Sequence, residues 1–241
     1  MGRLRHAISI IVLVALSTLG LRALFSVILA LPRAASAEAG PIDTLFNAHF
    51  WMIAFLFAFI MVMMLYSVFV FRRKPGDETD GPHVHGNTRL EIGWTIIPTV
   101  VVLGFGVWGA ITLNAITSPK AGEMVVHVTG KQWAWTFDYP EQGDISSGDL
   151  VLPVGRTIVL KMNAEDVLHS FWVPEFRVKQ DLVPDRETTL RITPTEIGDY
   201  MLRCAEICGL NHTLMEAKVR VVDAAGFQAW VDEKSAAPAF A

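Results

Sequence analysis

Two long runs without a charged side chain set the strongest limit on how this chain can fold. The first, residues 50–71, contains 22 consecutive residues without Asp, Glu, Lys or Arg, and the second covers residues 92–116. A helix of this length crosses the roughly 30 Å hydrocarbon core of a bilayer. Pro98 lies near the start of the second run, where a helix tolerates proline best. We therefore expect a hairpin of two transmembrane helices within residues 38–118.

A basic cluster between the two runs predicts their orientation. Arg72, Arg73 and Lys74 directly follow the first run, and such clusters stay on the cytoplasmic side. The chain that follows the second run then lies outside the membrane, which in a bacterium is the periplasm. The connecting loop also contains His83 and His85, but two histidines on a polar turn fall short of the clusters that mark metal sites.

The N-terminal segment has the features of a targeting sequence. Arg3 and Arg5 precede an apolar stretch over residues 7–31 that only Arg22 interrupts, and the small residues at 35–37 fit a cleavage site. We interpret residues 1–37 as a cleaved secretory signal peptide. Because the apolar stretch is longer than is usual in such peptides, an uncleaved extra helix is the alternative.

The C-terminal half changes to short β-rich runs separated by Gly and Pro. Runs of this kind predict strands, and many of them at close spacing predict a sandwich or barrel. We expect an all-β domain over residues 119–224, then a helix over 225–234 and a frayed tail that ends at 241. The predicted strands are 124–129, 132–139, 150–152, 157–162, 170–173, 188–192, 200–203 and 217–222.

The segment 203–215 gathers side chains that bind soft metal ions. It holds both cysteines of the chain, Cys204 and Cys208, followed by His212 and Met215, and His169 lies upstream. Thiolate and thioether together select copper over hard cations, and imidazole suits copper or zinc. One thiolate with these other ligands describes a mononuclear blue-copper site. The second cysteine, four residues from the first, allows the two sulfurs to bridge two copper ions.

Two other roles for the cysteines are open from their spacing. The only two cysteines of an exported domain usually pair in a disulfide, but the neighbouring His212, Met215 and His169 favour a metal site. Zinc is disfavoured because Met is not among its usual ligands and C-x3-C-x3-H is not the spacing of a common zinc module.

These motifs resemble those of a known family. C-A-E-I-C-G-L-N-H-T-L-M, with E-D-V-L-H-S-F-W upstream, is similar to the copper-binding region of subunit II of cytochrome c oxidase, a haem-copper terminal oxidase. The similarity extends over residues 41–222 and includes L-E-I-G-W-T-I-I-P and G-K-Q-W-A-W-T-F. It implies a dinuclear copper centre (CuA) held by His169, Cys204, Cys208, His212, Met215 and the backbone oxygen of Glu206. It also implies that the Glu206 carboxylate faces a magnesium ion shared with the catalytic subunit.

The resemblance also implies a fold and a function. The expected fold is a membrane-anchored, cupredoxin-like Greek-key β-barrel in the periplasm, attached to the bacterial inner membrane. The expected function is to accept electrons from a c-type cytochrome and pass them to haem in subunit I, which reduces oxygen to water with coupled proton translocation. Subunit III is a further expected partner. The chain has no C-x-x-C-H haem-attachment motif, so the donor is a separate protein and the oxygen-reducing site lies in the partner subunit.

One aromatic segment has a predicted role in electron transfer. Trp133, Trp135, Phe137 and Tyr139 alternate, so their rings should share one face of a strand. Core packing is the expected role of most of them, whereas the resemblance makes Trp133 the place where the electron enters. Ala134 departs from the family, in which this position is commonly aromatic.

Glu91 has two possible roles at the cytoplasmic membrane boundary. An acid at a helix N-terminus is favoured by the helix dipole and needs no further role. The resemblance makes it the glutamate at the mouth of a proton pathway of the oxidase.

Charge predicts the kind of partner. Residues 1–118 hold 8 Lys or Arg and 6 Asp or Glu, whereas residues 119–241 hold 12 and 18. The acidic C-terminal half should attract basic partners and repel nucleic acid. We expect a docking face for a basic cytochrome made by Asp138, Glu141, Asp144, Asp149, Glu165 and Asp166.

Three rival functions have different requirements. A quinol oxidase subunit shares the architecture but lacks the copper ligands. A membrane-tethered periplasmic copper carrier would need neither two spans nor a closed site of five ligands. A copper domain of nitrous oxide reductase shares the loop but is not expected behind a two-helix anchor.

Overall fold

The chain divides into two units in its computed structural model, which describes residues 2–81 and 83–236. One unit is helical and consists of Met1–Leu31 with Thr44–Ala110. The other consists of Pro32–Asp43 with Ile111–Ala241 and contains all ten strands of the described chain. The frayed tail was predicted to start after residue 234; residues 235 and 236 belong instead to the C-terminal helix, and residues 237–241 lie outside the described residues.

In the described residues three helices are long and apolar enough to cross a membrane, one more than the two spans expected after cleavage of residues 1–37. They are α1 (Gly2–Ile28), α2 (Ala39–Val70) and α3 (Thr88–Thr117). The runs predicted as spans form most of α2 and α3. Arg22 lies within α1, and its guanidinium donates a 2.6 Å hydrogen bond to Asn47 Oδ1 and lies 5.6 Å from the centre of the Trp51 ring.

Capping explains why α3 begins before the apolar run. The Asn87 side-chain oxygen accepts hydrogen bonds from the backbone N–H groups of Arg89 and Leu90, at 3.1 and 3.3 Å. An asparagine in this position satisfies N–H groups that the first turn leaves unpaired. Because α3 begins at Thr88, Pro98 lies in the helix interior and not in the first turn, contrary to the expectation.

The eight predicted strands are confirmed, with ends shifted by at most two residues. The strands are β1 (Met124–Lys131), β2 (Ala134–Tyr139), β3 (Ile145–Ser147), β4 (Leu150–Pro153), β5 (Ile158–Ala164), β6 (His169–Trp172), β7 (Lys179–Leu182), β8 (Thr188–Ile192), β9 (Gly198–Cys204) and β10 (Glu216–Val222). Three 3-10 turns span Pro140–Gln142, Pro174–Phe176 and His212–Leu214. The predicted C-terminal helix is α4 (Ala224–Ala236).

The described strands form two mixed sheets; a sandwich or barrel was expected from the strand spacing, and a cupredoxin-like Greek-key β-barrel from the resemblance. The first sheet has the order β3-β2-β1-β5-β8 and the second β4-β10-β9-β6-β7. The pairs β1/β5 and β10/β4 are parallel, and the other pairs are antiparallel. The two strands that were not predicted, β3 and β7, each form the edge of a sheet, where strands can be short and polar.

One cluster of buried side chains joins the two sheets. Phe137 and Leu160 come from the first sheet, and Phe171 and Leu202 from the second, and all four are fully buried. Full burial of such a side chain stabilises the fold by about 1.5–3 kcal/mol. The cluster is therefore what holds the sheets together as a sandwich.

Three of the four aromatic side chains that were predicted to share one face of a strand do so. Trp135, Phe137 and Tyr139 alternate along β2 and are buried on its core face. The ring of Trp230 in α4 packs on Tyr139, with 4.8 Å between ring centres. Trp133 precedes β2 and is only half-buried, so it is not one of the core residues.

Candidate metal centre

The backbone brings the predicted metal ligands to one end of the β domain. Strands β1 and β5 run parallel and end there, and the N–H of Glu165 after β5 donates to the carbonyl of Gly130 in β1 at 3.0 Å. Strand β6 begins there with His169. Pairing of Phe171 with Cys204 sets the start of β6 beside the end of β9. The loop that leaves β9 therefore starts next to the upstream histidine.

The two sulfurs and two imidazoles lie within hydrogen-bonding or near-contact distance of each other. The sulfurs of Cys204 and Cys208 are 3.8 Å apart, and both thiols are free. Nδ1 of His169 lies 3.9 Å from the Cys204 sulfur, and Nδ1 of His212 lies 3.5 Å from the Cys208 sulfur. A disulfide bond is about 2.05 Å long, so the cysteines do not form the structural crosslink that their number alone suggests.

Each sulfur also has one weaker donor beside it. The backbone oxygen of Glu206 lies 3.2 Å from the Cys204 sulfur, and the sulfur of Met215 lies 3.7 Å from the Cys208 sulfur. The backbone N–H of Cys204 donates to the carbonyl of Met215 at 3.1 Å, which closes the loop. All six predicted ligands are therefore gathered in two matching sets around the pair of sulfurs.

The donor set is almost entirely shielded from water. His169 and Met215 are fully buried, Cys204 and Cys208 are 8% and 2% exposed, and His212 is half-buried. Burial, together with the neighbouring Cys204, raises the pKa of the Cys208 thiol to about 11. Ligand thiols lose their protons when metal binds, so a metal ion at this place would have to displace that proton.

Asp166 fixes the orientation of the upstream histidine. Nε2 of His169 donates to Oδ1 of Asp166 at 2.8 Å, and the backbone N–H groups of Val167 and Gln132 donate to the same carboxylate at 2.7 and 2.8 Å. Burial alone would raise the pKa of this carboxyl group, but the hydrogen bonds from Gln132, His169 and Val167 lower it to about 2. Asp166 therefore stays charged and leaves Nδ1 of His169 free on the sulfur side.

The ring of Trp133 packs against Gly209 in the loop that carries Cys204 and Cys208. Gly209 has a φ of +120°, and a Cβ there would lie 2.9 Å from Gln132 Nε2 and 3.4 Å from the Trp133 ring. Gln132 Nε2 also donates to the carbonyl of Cys208 at 2.6 Å. The turn between β1 and β2 is thus held directly on the loop that carries the donors.

The predicted acidic face does not form as expected. Strand β2 runs away from the metal end, because Ala134 pairs with Lys131 there and Tyr139 pairs with Ile145 at the far end. Consequently Asp138, Glu141 and Asp144 lie at or beyond the far end of β2, and Asp149 lies between β3 and β4. Of the six predicted acids, only Glu165 and Asp166 flank the donors. Glu165 is paired with Lys131 at 2.9 Å.

The other predicted side chains lie outside the donor cluster. The Glu206 carboxylate is 3.9 Å from the Lys179 ammonium, and His169, Cys204 and Cys208 are the only metal-type cluster of His, Cys and acidic side chains in the described residues. Glu91 lies in the first turn of α3. The rings of His83 and His85 stack in parallel, 6.3 Å apart.

Sequence reasoning did not identify the positioning roles of Asp166 and Gln132. A signal for the first was present, because a carboxylate three residues before a ligand histidine can reach the other ring nitrogen across a turn. Ligand histidines usually donate their second N–H to such a group. Nothing in the sequence near Gln132 predicts its role, because its hydrogen bond is to Cys208, which is distant in the sequence.

Fold and site together define a class of protein. It is a membrane-anchored protein with apolar N-terminal helices, and its C-terminal β domain carries a buried His/Cys/Cys cluster suited to copper. The sequence matches the cytochrome c oxidase subunit II transmembrane domain over residues 25–110 and the periplasmic domain of the same subunit over residues 146–222. Cytochrome c oxidase subunit 2 of Synechocystis sp. is 33% identical over 255 aligned residues, which cover 86% of this chain and 76% of the relative. The chain therefore belongs to the cytochrome c oxidase subunit II family.

Two further similarities are to a quinol oxidase subunit and to the solved structure of a periplasmic domain. Quinol oxidase subunit 2 of Bacillus spizizenii is 30% identical over 185 residues, covering 73% of this chain and 58% of that protein. The crystal structure of the periplasmic domain of subunit II of cytochrome oxidase from Bradyrhizobium japonicum is 30% identical, covers 48% of this chain and 96% of that chain, and superposes with a TM-score of 0.46.

Proposed function

We propose that this chain is the electron-accepting subunit of a bacterial cytochrome c oxidase and that it binds a dinuclear copper centre. One observation carries the proposal. Two free thiols, of Cys204 and Cys208, lie 3.8 Å apart, and each has an imidazole nitrogen within 3.9 Å. In this proposal a c-type cytochrome supplies the electrons, and haem in subunit I receives them.

The donor set fits two copper ions. The sulfurs of Cys204 and Cys208 lie 3.8 Å apart, close enough for both to bind the same metal ions. His169 and the Glu206 oxygen lie on the Cys204 side, and His212 and Met215 on the Cys208 side. Thiolate and thioether donors favour copper over magnesium or calcium. When bound, the copper pair would take up and release one electron.

The protein itself contributes metal-binding side chains that are held in place and shielded from water. The Cys204–Met215 backbone hydrogen bond and a second one from the N–H of His212 to the carbonyl of Gly209, at 3.2 Å, hold the loop in shape. Burial of His169 and Met215 excludes water from the donors. Ligands held in fixed positions rearrange little when the charge of the metal centre changes.

Asp166 prepares His169 for its role as ligand. A histidine that donates one ring N–H to a carboxylate presents its other nitrogen, unprotonated, to a metal ion. The 2.8 Å hydrogen bond from Nε2 to Asp166 leaves Nδ1 as that nitrogen. Asp166 is a positioning residue in this arrangement, since the nitrogen that faces the sulfurs belongs to His169.

Trp133 is the proposed place where the electron enters. Its indole packs at Gly209, one residue beyond Cys208, and its neighbour Gln132 is bonded to the Cys208 carbonyl. Glu165 and Asp166, whose side chains are 50% and 26% exposed, provide negative charge at the same end. Opposite charges steer association, so these two acids support docking of a basic cytochrome.

Several further roles complete the proposal. Glu206 offers a single carboxylate near Lys179, so a shared magnesium ion would need its other ligands from subunit I. Glu91 at the start of α3 is proposed as the entrance of a proton pathway, in an oxidase that couples oxygen reduction to proton translocation. The proposed location is the bacterial inner membrane, with the β domain in the periplasm and subunit III as a further partner.

A copper carrier is a weaker interpretation of the same site. A carrier must release its metal to a partner, which requires donors that the partner can reach. Cys208 is 2% exposed and His169 and Met215 are fully buried. The closed donor set supports a resident centre.

Rapid mixing of reduced cytochrome c with the purified oxidase tests this function. In the wild type we expect the absorbance change that reports copper reduction to precede the one that reports haem reduction. In Cys208→Ser we expect this early phase to be lost. Thr213→Ser is the matched control, because Thr213 is an exposed residue of the same loop outside the donor set. Haem reduction in Cys208→Ser at the wild-type rate would contradict the proposal.

A further inference from the structure

Helix α1 makes specific contacts with α2 near both of its ends. His6 Nδ1 shares a 2.7 Å hydrogen bond with the Tyr66 hydroxyl group. Towards the other end, Arg22 donates to Asn47 at 2.6 Å, and its guanidinium lies over the Trp51 ring. Polar side chains inside a membrane are costly unless they are paired. These pairs give α1 fixed partners within the helical unit.

The segment that follows α1 is part of the β-containing unit. The backbone N–H of Ala35 donates to the carbonyl of Glu175, and the carbonyl of Ala35 accepts from the N–H of Thr195, both at 2.9 Å. The N–H of Ala37 donates to the carbonyl of Thr193 at 2.9 Å. Ser36 forms a β-bridge with Pro194. The segment therefore pairs with two separate stretches of the domain, as a short strand does.

The side chains of residues 33, 35 and 36 pack against residues of the β domain. Ala35 is fully buried and belongs to the core cluster. The hydroxyl group of Ser36 donates to the carbonyl of Phe176 at 2.9 Å. Arg33 lies 5.0 Å from the centre of the Tyr200 ring, and a Cβ at Gly198 would lie only 2.8 Å from its guanidinium. These contacts all precede the predicted cleavage point after Ala37.

Cleavage at that point conflicts with the folded domain. A leader peptidase reads the small residues at 35 and 37, but Ala35 is buried and its N–H and C=O are both bonded. Cleavage would remove the partners of the backbone groups of Glu175, Phe176 and Thr195. It would also place a charged amino group at Glu38, which is only 2% exposed.

We propose that α1 is retained as a third membrane span and that residues 32–37 are a permanent strand of the β domain. The contacts of residues 6–36 carry this proposal in place of the interpretation of residues 1–37 as a cleaved leader. A third span is consistent with the charges, because it puts Arg3 and Arg5 on the same cytoplasmic side as the basic cluster after α2. The proposal does not depend on the bound metal or on the function of the chain.

Two substitutions separate a retained strand from a cleaved leader. Ala35→Leu and Ala37→Leu both block a leader peptidase, because each removes a required small residue. Only Ala35 is buried, whereas Ala37 is exposed. The full-length chain with a C-terminal tag is produced in bacteria and purified from membranes, and its intact mass and melting temperature are measured.

We expect the wild type and both variants to have the mass of a chain that includes residues 2–37. We expect Ala35→Leu to lower the melting temperature of the β domain by about 4 °C or more, as overpacking of a filled core position does, and Ala37→Leu to leave it unchanged. A wild-type mass that starts at Glu38, with longer chains in both variants, would overturn the proposal. Equal melting temperatures for all three proteins would overturn the assignment of residues 32–37 as a strand.

Discussion

Nε2 of His169 donates a 2.8 Å hydrogen bond to the carboxylate of Asp166. From the sequence, Asp166 was expected to act only as a docking charge for a basic cytochrome. The structure gives it a second connection, because its carboxylate also holds the backbone N–H of Gln132 in the turn before Trp133. Replacing this acid therefore changes the surroundings of a proposed copper ligand as well as the surface charge.

Asp166→Asn should weaken copper binding, whereas Glu165→Gln should not. Both variants lose one negative charge at the same end of the domain, but Glu165 pairs with Lys131 and not with a donor residue. Loss of a group that orients a ligand histidine typically reduces metal affinity by about 10- to 100-fold. Competition with a copper chelator measures this, and a salt series of the rate with cytochrome c measures docking. Equal copper affinity of the two variants would show that the hydrogen bond has no role in positioning His169.

Gly209→Ala should disturb the contact between Trp133 and the cysteine loop. The new Cβ would lie 2.9 Å from Gln132 and 3.4 Å from Trp133, and the φ of +120° is unfavourable for alanine. A residue forced into such a conformation costs on the order of 1–3 kcal/mol. We expect lower stability and slower copper reduction in the docked complex. Gly148→Ala is the control, because its Cβ would meet nothing within 4 Å, and an identical response to both substitutions would argue against a special role of Gly209.

Glu91→Gln should slow the turnover of the assembled oxidase several-fold and leave copper reduction by the donor unchanged. In the proposed function Glu91 supplies protons for oxygen reduction, whereas the electron enters at the β domain, so only the first step should depend on this acid. Glu78→Gln, in the exposed loop before α3, controls for the loss of one negative charge. Steady-state oxygen consumption and stopped-flow copper reduction are the two measurements. Normal turnover in Glu91→Gln would leave this acid as a helix N-terminal residue without a further role.

Tyr139 should make the β domain sensitive to alkaline pH. Burial raises the pKa of Tyr139 above its ordinary value, and its hydroxyl group donates to the carbonyl of Val151 and accepts from the N–H of the same residue. Below about pH 10 the phenol is neutral in both folded and unfolded chains, so its contribution is fully present. Above that pH the unfolded chain ionises first, so stability falls as pH rises towards the folded-state pKa.

Tyr139→Phe should therefore be less stable at neutral pH but lose less stability between neutral and alkaline pH. The unpaired groups of Val151 should lower the free energy of unfolding by about 1–3 kcal/mol. Urea denaturation at a series of pH values measures both effects. A variant with the same alkaline slope as the wild type would assign the sensitivity to other groups.

The parts of the structure that local sequence specifies were predictable. The apolar runs gave α2 and α3, since length and lack of charge alone decide whether a helix can cross a bilayer. The spacing of Cys204, Cys208, His212 and Met215 indicated a metal loop because all four lie within one turn-rich segment. Alternation along β2 correctly placed Trp135, Phe137 and Tyr139 in the core.

The parts that depend on distant contacts were not predictable in this way. The acids after β2 are near Trp133 in sequence, but the strand carries them to the far end of the domain. The bond between Gln132 and Cys208 joins residues 76 positions apart. Helix α1 resembled a leader by composition, and its contacts with Tyr66 and Asn47 could not be read from the local sequence.

Electron paramagnetic resonance of the copper-loaded protein tests the central claim most directly. Purified full-length protein should contain two copper ions per chain, and the centre in its oxidised, mixed-valence state should show hyperfine coupling to two equivalent copper nuclei. Met215→Leu should keep this signal and shift mainly the reduction potential, because Met215 is the weaker donor beside Cys208. Cys208→Ser should abolish the signal, since a hydroxyl group does not replace a bridging thiolate. A hyperfine pattern from a single copper nucleus in the wild type, or one copper ion per chain, would contradict the dinuclear centre.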